Sequence, residues 1–237
     1  MNMRDNGFYV QMHLHTAEAS RCARVGGADM ARACKEAGYD LIVVTDHFFN
    51  ANINVPYDIP WKEQVHGLFA GYRAAKAMGE QIGLHVLPGW ETYTDGPEYL
   101  TYGLGEEFLL HNRDIAILPK KQYLKRVHAS GGYITHAHPF REASYIPHFD
   151  PDPFGLDAVE VFNGRHMDPR FDEKARAFAQ RYHLPGTAGA DAHNTMHIYD
   201  GAMRFFHPVY TFEEIFDAIK KGECEIVPHL SERALSF

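Results

Sequence analysis

Histidines and carboxylates recur in this sequence in five short motifs. The motifs read HLH (13–15), TDH (45–47), GWE (89–91), HAHPFR (136–141) and GADAH (189–193). Imidazole nitrogens combined with carboxylate oxygens are typical ligands of Zn, Mn or Fe, and the set is too rich in nitrogen for a pure Ca or Mg site. The motifs therefore predict a metal centre, provided that the fold brings them together.

Predicted strands and helices alternate along the chain. Apolar runs with β-branched residues predict seven strands, at 8–15, 40–46, 84–91, 99–104, 132–138, 157–162 and 185–191. Helical patterns lie between several of them, at 28–37, 62–80, 119–130, 170–183 and 211–221. This order predicts an α/β fold with a mostly parallel sheet, closed or nearly closed by outer helices. The stretch 91–104, which contains Asp95-Gly96-Pro97, is typical of a hairpin.

All five motifs fall at the carboxyl end of a predicted strand, where α/β folds build their functional sites. Residues i and i+2 of a strand project to the same side, so His13 with His15, and His136 with His138, can each converge on one point. Burying crowded imidazoles and carboxylates without cations would be strongly unfavourable. A lone histidine is more often structural, and we expect no ligand role for His66, His85, His111, His128, His183, His207 and His229.

Composition narrows the class of protein. A chain of 237 residues with 45% apolar content is long enough for one barrel domain spanning 1–237. The formal net charge of −8 argues against a stable complex with nucleic acid. Three widely spaced cysteines, without a C-x-x-C pair or a membrane-spanning run, favour free thiols in a cytoplasmic protein. The sequence leaves the oligomeric state unspecified.

Together with EVFNG (160–164), the motifs resemble the polymerase and histidinol phosphatase (PHP) family of metal-dependent phosphoesterases, in order and spacing across nearly the whole chain. The resemblance implies a distorted seven-stranded (β/α) barrel with two or three divalent metal ions (Zn, Mn or Fe) at its carboxyl-end mouth. It implies that one metal is bound by His13, His15, Glu91 and Asp191. Glu91 would bridge to a second metal that also takes His138, and a third would take His47 and His193.

Two positions depart from the family's pattern. Many members carry an aspartate or histidine five or six residues after the first motif, where this chain has Ser20 and Arg21. Glu18 is our candidate to complete the third metal site, with Cys22 as the second choice. Many members also place a histidine after the glutamate strand, where this chain reads PEYLTYG. The coordination position left open at the second metal would then be taken by water or by His136. His136 is equally suited to a supporting hydrogen bond.

Such a centre predicts a hydrolase, because cations can activate a water molecule and neutralise phosphate oxygens. We expect a phosphoesterase acting on a small phosphomonoester or a short nucleotide, since no accessory domain to grip a polymer is evident. The predicted catalytic residues are Glu91, Asp191 and His193, the last as a proton donor to the leaving group if the metal leaves it free. The predicted substrate-binding residues are Arg141, Asn163 and Arg165, with a bidentate contact from Arg141 to phosphate.

Two other functions fit the same motifs. Amidohydrolase barrels also carry histidine and aspartate at strand ends, so hydrolysis of a C–N bond is an alternative. A non-catalytic module that binds metal and regulates a partner is another, although the nearly complete ligand set favours an enzyme. Assays of phosphate release separate these functions.

Overall fold

A computed structural model describes residues 7–94, 96–144, 146 and 151–230 of the chain. Its strands are β1 (Phe8–Gln11), β2 (Leu41–Val44), β3 (His85–Tyr93), β4 (Glu98–Tyr102), β5 (Tyr133–His136), β6 (Ala158–Asn163), β7 (Gly186–Gly189), β8 (Asp200–Phe205) and β9 (Cys224–His229). They form one sheet in the order β7-β6-β5-β4-β3-β2-β1-β8-β9. The first seven strands correspond to the seven predicted ones, and β8 and β9 are additional.

The seven predicted strands curve into a nearly closed barrel. Just beyond β1 and β7, Leu14 pairs in parallel with Ala192. The amide of His15 donates to the carbonyl of Ala192 at 2.8 Å, and the amide of Ala192 donates to the carbonyl of His13 at 3.3 Å. Strands β8 and β9 extend the sheet as antiparallel strands from the amino-terminal half of β1. The predicted α/β fold with a distorted barrel is thus confirmed, with two strands more than expected.

Strand β4 runs against its neighbours. It pairs antiparallel with both β3 and β5, whereas the pairs β1/β2, β2/β3, β5/β6 and β6/β7 are parallel. The hairpin predicted within 91–104 is present, although Asp95 in its turn lies outside the described residues. Because Glu98 pairs with Tyr93, the first residue of β4 lies at the carboxyl end of β3.

The helices cover the outside of the barrel. They are α1 (Gly27–Glu36), α2 (Trp61–Leu68), α3 (Ala70–Ile82), α4 (Glu106–His111), α5 (Lys120–Ala129), α6 (Pro169–Arg181) and α7 (Phe212–Lys221). The single helix predicted over 62–80 is two helices that meet at Phe69, and α4 was not predicted. Helix α7 begins with a capping box between Thr211 and Glu214 and buries Ile215 and Phe216 against the sheet. None of the helices that the structure describes is long and apolar enough to cross a membrane.

Helices α1 and α3 approach each other and the barrel at two glycines. A Cβ atom on Gly27 would collide with the carbonyl oxygen of Gly71, and a Cβ atom on Gly71 would collide with the hydroxyl of Thr16. Since only glycine lacks a Cβ atom, this close approach requires glycine at both positions. It places α3 directly against the loop that follows β1.

Gln11 joins the chain segments that meet where the barrel closes. Its side-chain amide donates to the hydroxyl of Tyr39 and the carbonyl of Gly201, both at 3.0 Å. Its carbonyl oxygen accepts from the amide of His13 at 3.1 Å and from the amide of Ala190 at 2.9 Å. One buried side chain thus satisfies four polar groups and fixes the backbone on both sides of the seam.

Replacing Gln11 with leucine tests this role. Gln11→Leu leaves the buried amides of His13 and Ala190 without an acceptor, and each unsatisfied group costs about 1–3 kcal/mol. We therefore expect a loss of at least about 2 kcal/mol in the free energy of unfolding, measured by urea denaturation. Gln122→Leu, on the exposed face of α5, is the matched control and should change stability by less than about 0.5 kcal/mol. Equal effects in the two variants would contradict the role of Gln11.

Candidate metal centre

His13 and His15 each present one nitrogen to the same point. Their Nε2 atoms lie 3.1 Å apart, and both rings are fully buried. His13 Nδ1 donates to Glu160 Oε1 at 2.9 Å, because a carboxylate can only accept. Ser20 Oγ donates its hydrogen to Asp46 Oδ1 at 2.7 Å. Because that hydrogen is used, Ser20 Oγ accepts from His15 Nδ1 at 3.1 Å. Each neutral ring therefore carries its proton on Nδ1 and turns the lone pair of Nε2 towards the other ring.

Two carboxylates face these lone pairs. Glu91 lies 3.4 Å from His13 Nε2 and 3.5 Å from His15 Nε2, through different oxygens. Asp191 Oδ1 lies 3.5 Å and 3.3 Å from the same two nitrogens. Four acceptor groups around one point repel one another unless a positive charge lies among them. This donor set fits a divalent cation bound by imidazole and carboxylate groups.

Without a cation, the same arrangement attracts a proton. Burial by itself disfavours a charged ring, but the carboxylates of Glu160, Asp191 and Glu91 outweigh it and raise the pKa of His13 well above its usual value. The pKa of His15 is held well below its usual value by burial and by the neighbouring rings of His47 and His193. The histidine pair thus holds one proton where a cation would supply the positive charge.

Glu91 connects this first group of candidate ligands to a second group, which begins with Glu91 itself and His138. Its Oε1 accepts from His138 Nε2 at 2.9 Å, and its Oε2 lies 3.1 Å from His47 Nδ1. Burial would raise the pKa of Glu91, but His13 and the other histidines lower it well below the usual value, so the group is ionised. A carboxylate with each oxygen turned to a different set of imidazoles has the arrangement expected of a bridging ligand.

Glu98 joins the second group and was not among the predicted ligands. Its Oε2 lies 3.7 Å from His138 Nε2, and ligand atoms of His47, Glu91 and Glu98 lie within 4.8 Å of one another. Burial, followed by the nearby carboxylate of Glu91, raises the pKa of Glu98 to about 8. The signal that could have found it is the hairpin, because the first residue of a returning strand lies beside the end of the outgoing one.

A third group consists of His15, His47 and His193, whose ligand atoms also lie within 4.8 Å of one another. Cys22 lies at its edge, with Sγ 3.2 Å from His47 Nε2 and 3.1 Å from His193 Nε2. Although burial would raise the pKa of this thiol, the hydrogen bonds with the two histidines lower it to about 6. Cys22 was the second of the two residues predicted to complete a third metal site, and it is the one that lies beside these histidines.

Glu18, the first choice, has a different partner. Both of its carboxylate oxygens lie 3.0 Å from the amide of Gly27, the first residue of α1, and accept its hydrogen bond. A carboxylate in this position also compensates the partial positive charge at the amino end of the helix. This geometry does not support the prediction that Glu18 binds a metal.

Asp46 shapes the loop that carries Cys22. Its carboxylate accepts from the amide and the hydroxyl of Thr16, each at 2.6 Å, and from Ser20 Oγ at 2.7 Å. Burial raises the pKa of Asp46 to about 6 despite these hydrogen bonds. The aspartate of the TDH motif therefore organises the loop after β1, while His47 faces the ligand groups.

Two of the predicted ligands have an unusual backbone conformation. His138 has a φ of 28° and Asp191 a φ of 50°, in the left-handed region that residues other than glycine rarely adopt. The amide of His138 donates to Glu160 Oε2 at 3.0 Å, which holds the turn before Pro139. Such strain is characteristic of functional sites, because the surrounding structure must stabilise it.

Of the three predicted substrate-binding residues, Arg141 and Asn163 contact Asp191, and Arg165 contacts Asn163. Arg141 Nη2 donates to Asp191 Oδ2 at 2.7 Å and to Asn163 Oδ1 at 2.8 Å. Asn163 is buried and donates to Glu160 Oε2 at 2.8 Å. Arg165 is exposed, and its backbone amide donates to Asn163 Oδ1 at 2.8 Å. Arg141 and Asn163 thus form a network around the carboxylates, with Arg165 at its edge.

His136 is the last residue of β5, two residues before His138, but its side chain lies in a different environment. Its ring is fully buried beside the ring of Tyr99, with 4.8 Å between the centroids. Burial, followed by the charge of Lys120, lowers its pKa well below the usual value. The structure therefore places Glu98, rather than His136, beside the second group of ligands.

Comparison with known proteins supports the resemblance stated from the motifs. A family model described as PHP-associated matches residues 169–224, a segment that includes Asp191 and His193. A sequence comparison with curated proteins finds no match. The model match covers less than half of the chain, and together with the barrel it supports the resemblance to the PHP family.

Several solved structures share the fold. A two-domain protein from Bacteroides vulgatus, described as containing a PHP-like metal-dependent phosphoesterase, has 16% identity and a TM-score of 0.68 over 95% of this chain and 66% of that one. The lesion-specific endonuclease PfuEndoQ from Pyrococcus furiosus has 15% identity and a TM-score of 0.59 over 93% and 57%. An amidohydrolase from Chromobacterium violaceum has 12% identity and a TM-score of 0.54 over 92% and 97%. At these identities the likeness establishes the fold alone, and this chain spans just under two thirds of the first neighbour.

The raised pKa of Glu98 predicts a dependence of stability on pH in the metal-free protein. Between the ordinary pKa of 4.5 and the folded-state value of about 8, the unfolded chain releases a proton that the folded protein keeps. Glu98 therefore destabilises the fold increasingly as the pH rises through this range, and the effect levels off above pH 8. Glu98→Gln should be more stable than the wild type above pH 8 by a few kcal/mol, since each pKa unit corresponds to about 1.4 kcal/mol.

Urea denaturation in the presence of a chelator, repeated across the pH range, measures this gain. It should shrink towards zero as the pH falls to 4.5. Glu80→Gln, at an exposed position of α3, is the matched control and should show no such trend. A gain that does not change with pH would show that the substitution acts through packing and not through the charge.

Proposed function

We propose that this protein is a metal-dependent phosphoesterase that hydrolyses a small phosphomonoester or a short nucleotide. The observation that carries the proposal is the meeting of two imidazole lone pairs, on His13 and His15, with the carboxylates of Glu91 and Asp191. Divalent cations bound by such donors activate water as a nucleophile and neutralise the negative charge of phosphate oxygens. The PHP-type barrel supports the same reaction class.

The three groups of donors define the proposed ligand set. The first position takes His13, His15, Glu91 and Asp191, as the resemblance implied. The second takes Glu91 and His138, and Glu98 would supply the donor that many family members take from a histidine. The third takes His47 and His193. We propose two or three cations of Zn, Mn or Fe, because the set combines nitrogen and oxygen donors.

The surrounding residues hold these ligands in position. Glu160 accepts from the ring of His13, the amide of His138 and the side chain of Asn163, so one carboxylate orients parts of three strand ends. Hydrogen bonds of this kind fix the tautomer of a ligating histidine and increase its basicity. The ligand atoms are therefore arranged before any cation arrives.

His193 acts as a ligand in the mechanism we propose, and not as a proton donor to the leaving group. Its Nδ1 donates to the carbonyl oxygen of Asp191 at 2.8 Å, so Nε2 is the nitrogen left to bind a cation. That nitrogen faces Cys22 within the third group. Asp191 and Glu91 serve catalysis by binding and placing the cations.

Arg141, with Asn163 and Arg165, is proposed to bind the phosphate group of the substrate. The side chain of Arg141 is 15% exposed and lies next to the first ligand group, so its charge can reach an anion that contacts the cations. The net charge of −8 favours a small substrate over an extended nucleic acid. Because PfuEndoQ shares the fold, short oligonucleotides belong in the substrate panel.

Elemental analysis and phosphatase assays of the same preparations test the proposal. Protein purified without added metal should contain Zn, Mn or Fe and release phosphate from aryl phosphates, sugar phosphates or nucleotides. Glu91→Gln and His138→Ala should lower both metal content and activity, with activity falling at least about a hundredfold, since the metal supplies several kcal/mol of transition-state stabilisation.

Matched controls are available on the surface. Glu80→Gln and His111→Ala replace the same residue types at exposed positions and should leave metal content and activity unchanged. Full activity in Glu91→Gln would contradict the proposed mechanism. Hydrolysis of amides without phosphate release would favour the C–N hydrolase, and bound metal without any turnover would favour a regulatory module.

The role of Arg141 can be separated from that of the ligands. A charge-assisted hydrogen bond contributes about 1.5–3 kcal/mol, so Arg141→Gln should raise KM for the phosphate ester at least about tenfold while metal content is kept. Arg113→Gln, which changes an exposed arginine, is the control. An unchanged KM with reduced metal content would show that Arg141 only holds Asp191.

A further inference from the structure

We infer that the thiolate of Cys22 is a ligand of the cation held by His47 and His193. The inference rests on the proposed metal centre and specifies the donor that completes its third position. It also makes that position chemically different from the other two, which contain nitrogen and oxygen donors alone.

The distances fit tetrahedral coordination closely. Cys22 Sγ lies 3.2 Å from His47 Nε2 and 3.1 Å from His193 Nε2. In a tetrahedral zinc site, bonds of about 2.3 Å to sulfur and about 2.0 Å to nitrogen place these atoms about 3.5 Å apart. An expansion of a few tenths of an ångström therefore admits a cation among the three donors.

The ring of His193 has its lone pair on the correct atom. Its Nδ1 lies 2.8 Å from the carbonyl oxygen of Asp191, which can only accept, so the proton of the neutral ring is on Nδ1. Nε2 then carries a lone pair and faces Cys22 Sγ. This is the arrangement in which a backbone carbonyl orients a ligating histidine.

The same is true of His47. Its buried Nδ1 lies 3.1 Å from Glu91 Oε2 without the geometry of a hydrogen bond. A lone pair on Nδ1 would face the carboxylate and be repelled, so the neutral ring carries its proton there and its lone pair on Nε2. The Nε2 atoms of both rings thus converge on the Cys22 sulfur, as they would around a shared cation. A thiolate with a cation satisfies all three donors.

The loop around Cys22 is fixed on both sides. Before it, the amide of Arg21 donates to the carbonyl of Asn52 at 3.1 Å. After it, the amide of Arg24 donates to the carbonyl of His193 at 2.8 Å, which ties the loop to the residue that Cys22 faces. The sulfur is therefore held beside the histidines by the backbone. Since thiolates favour Zn over Mn, we expect the third position to select a softer cation than the other two.

Cobalt spectroscopy of the full chain tests the inference. The metal-free protein is titrated with Co²⁺, which shows visible d–d bands in any of the three positions and a near-ultraviolet charge-transfer band only when sulfur is bound. We expect this band in the wild type and in Cys224→Ser, whose thiol lies at the start of β9. It should be lost in Cys22→Ser, while the d–d bands of the other positions remain.

A measurement on the wild type alone covers the case in which Cys22→Ser does not fold. X-ray absorption of the zinc-loaded protein should show a sulfur neighbour at about 2.3 Å. Bound metal without a sulfur neighbour, or a charge-transfer band that persists in Cys22→Ser, would overturn the inference and leave the proposed phosphoesterase standing. A sulfur ligand in a fully loaded protein that hydrolyses no phosphate ester would contradict the proposed function alone, and failure to bind metal would overturn both.

Discussion

The candidate site depends on how the charge of two buried imidazoles and two buried carboxylates is compensated. His13 and His15 present their Nε2 atoms to each other at 3.1 Å, between the carboxylates of Glu91 and Asp191. Water is excluded from all four groups, so only a proton or a cation can compensate their charge. A cation that bound among them would have to displace this proton, which would couple its affinity to pH. The hydrogen bonds of Glu160 and Ser20 keep both lone pairs turned inwards.

The barrel produces this arrangement by bringing distant strand ends to one edge. Its closure depends on the short parallel bridge between Leu14 and Ala192, which places the first and last motifs side by side. The antiparallel β4 adds Glu98 from a direction that a purely parallel barrel does not offer. Left-handed backbone at His138 and Asp191 turns the chain at the two points where these candidate ligands lie. The cost of this conformation is offset by hydrogen bonds such as that between the amide of His138 and Glu160.

Much of this arrangement was predictable from the sequence, because periodicity and position on a strand are local signals. The seven barrel strands and most helices were found in this way. Strands β8 and β9 were missed because DGAMRF and CEIVPH contain charged residues, glycine or proline and lack a clear alternation. Glu98 depends on how a hairpin pairs, and the partner of Glu18 depends on where α1 begins. Neither contact follows from the spacing of residues, so the sequence could not show which of Glu18 and Cys22 lies beside His47 and His193.

The carboxylate of Asp46 has a consequence for the candidate metal centre. It secures the turn after β1 through Thr16 and Ser20 with hydrogen bonds that no cation takes part in. The shape of this turn is therefore set by hydrogen bonds within the protein and not by an ion. A cation that binds beside this turn would meet a loop that is already folded, so that binding would require no refolding there.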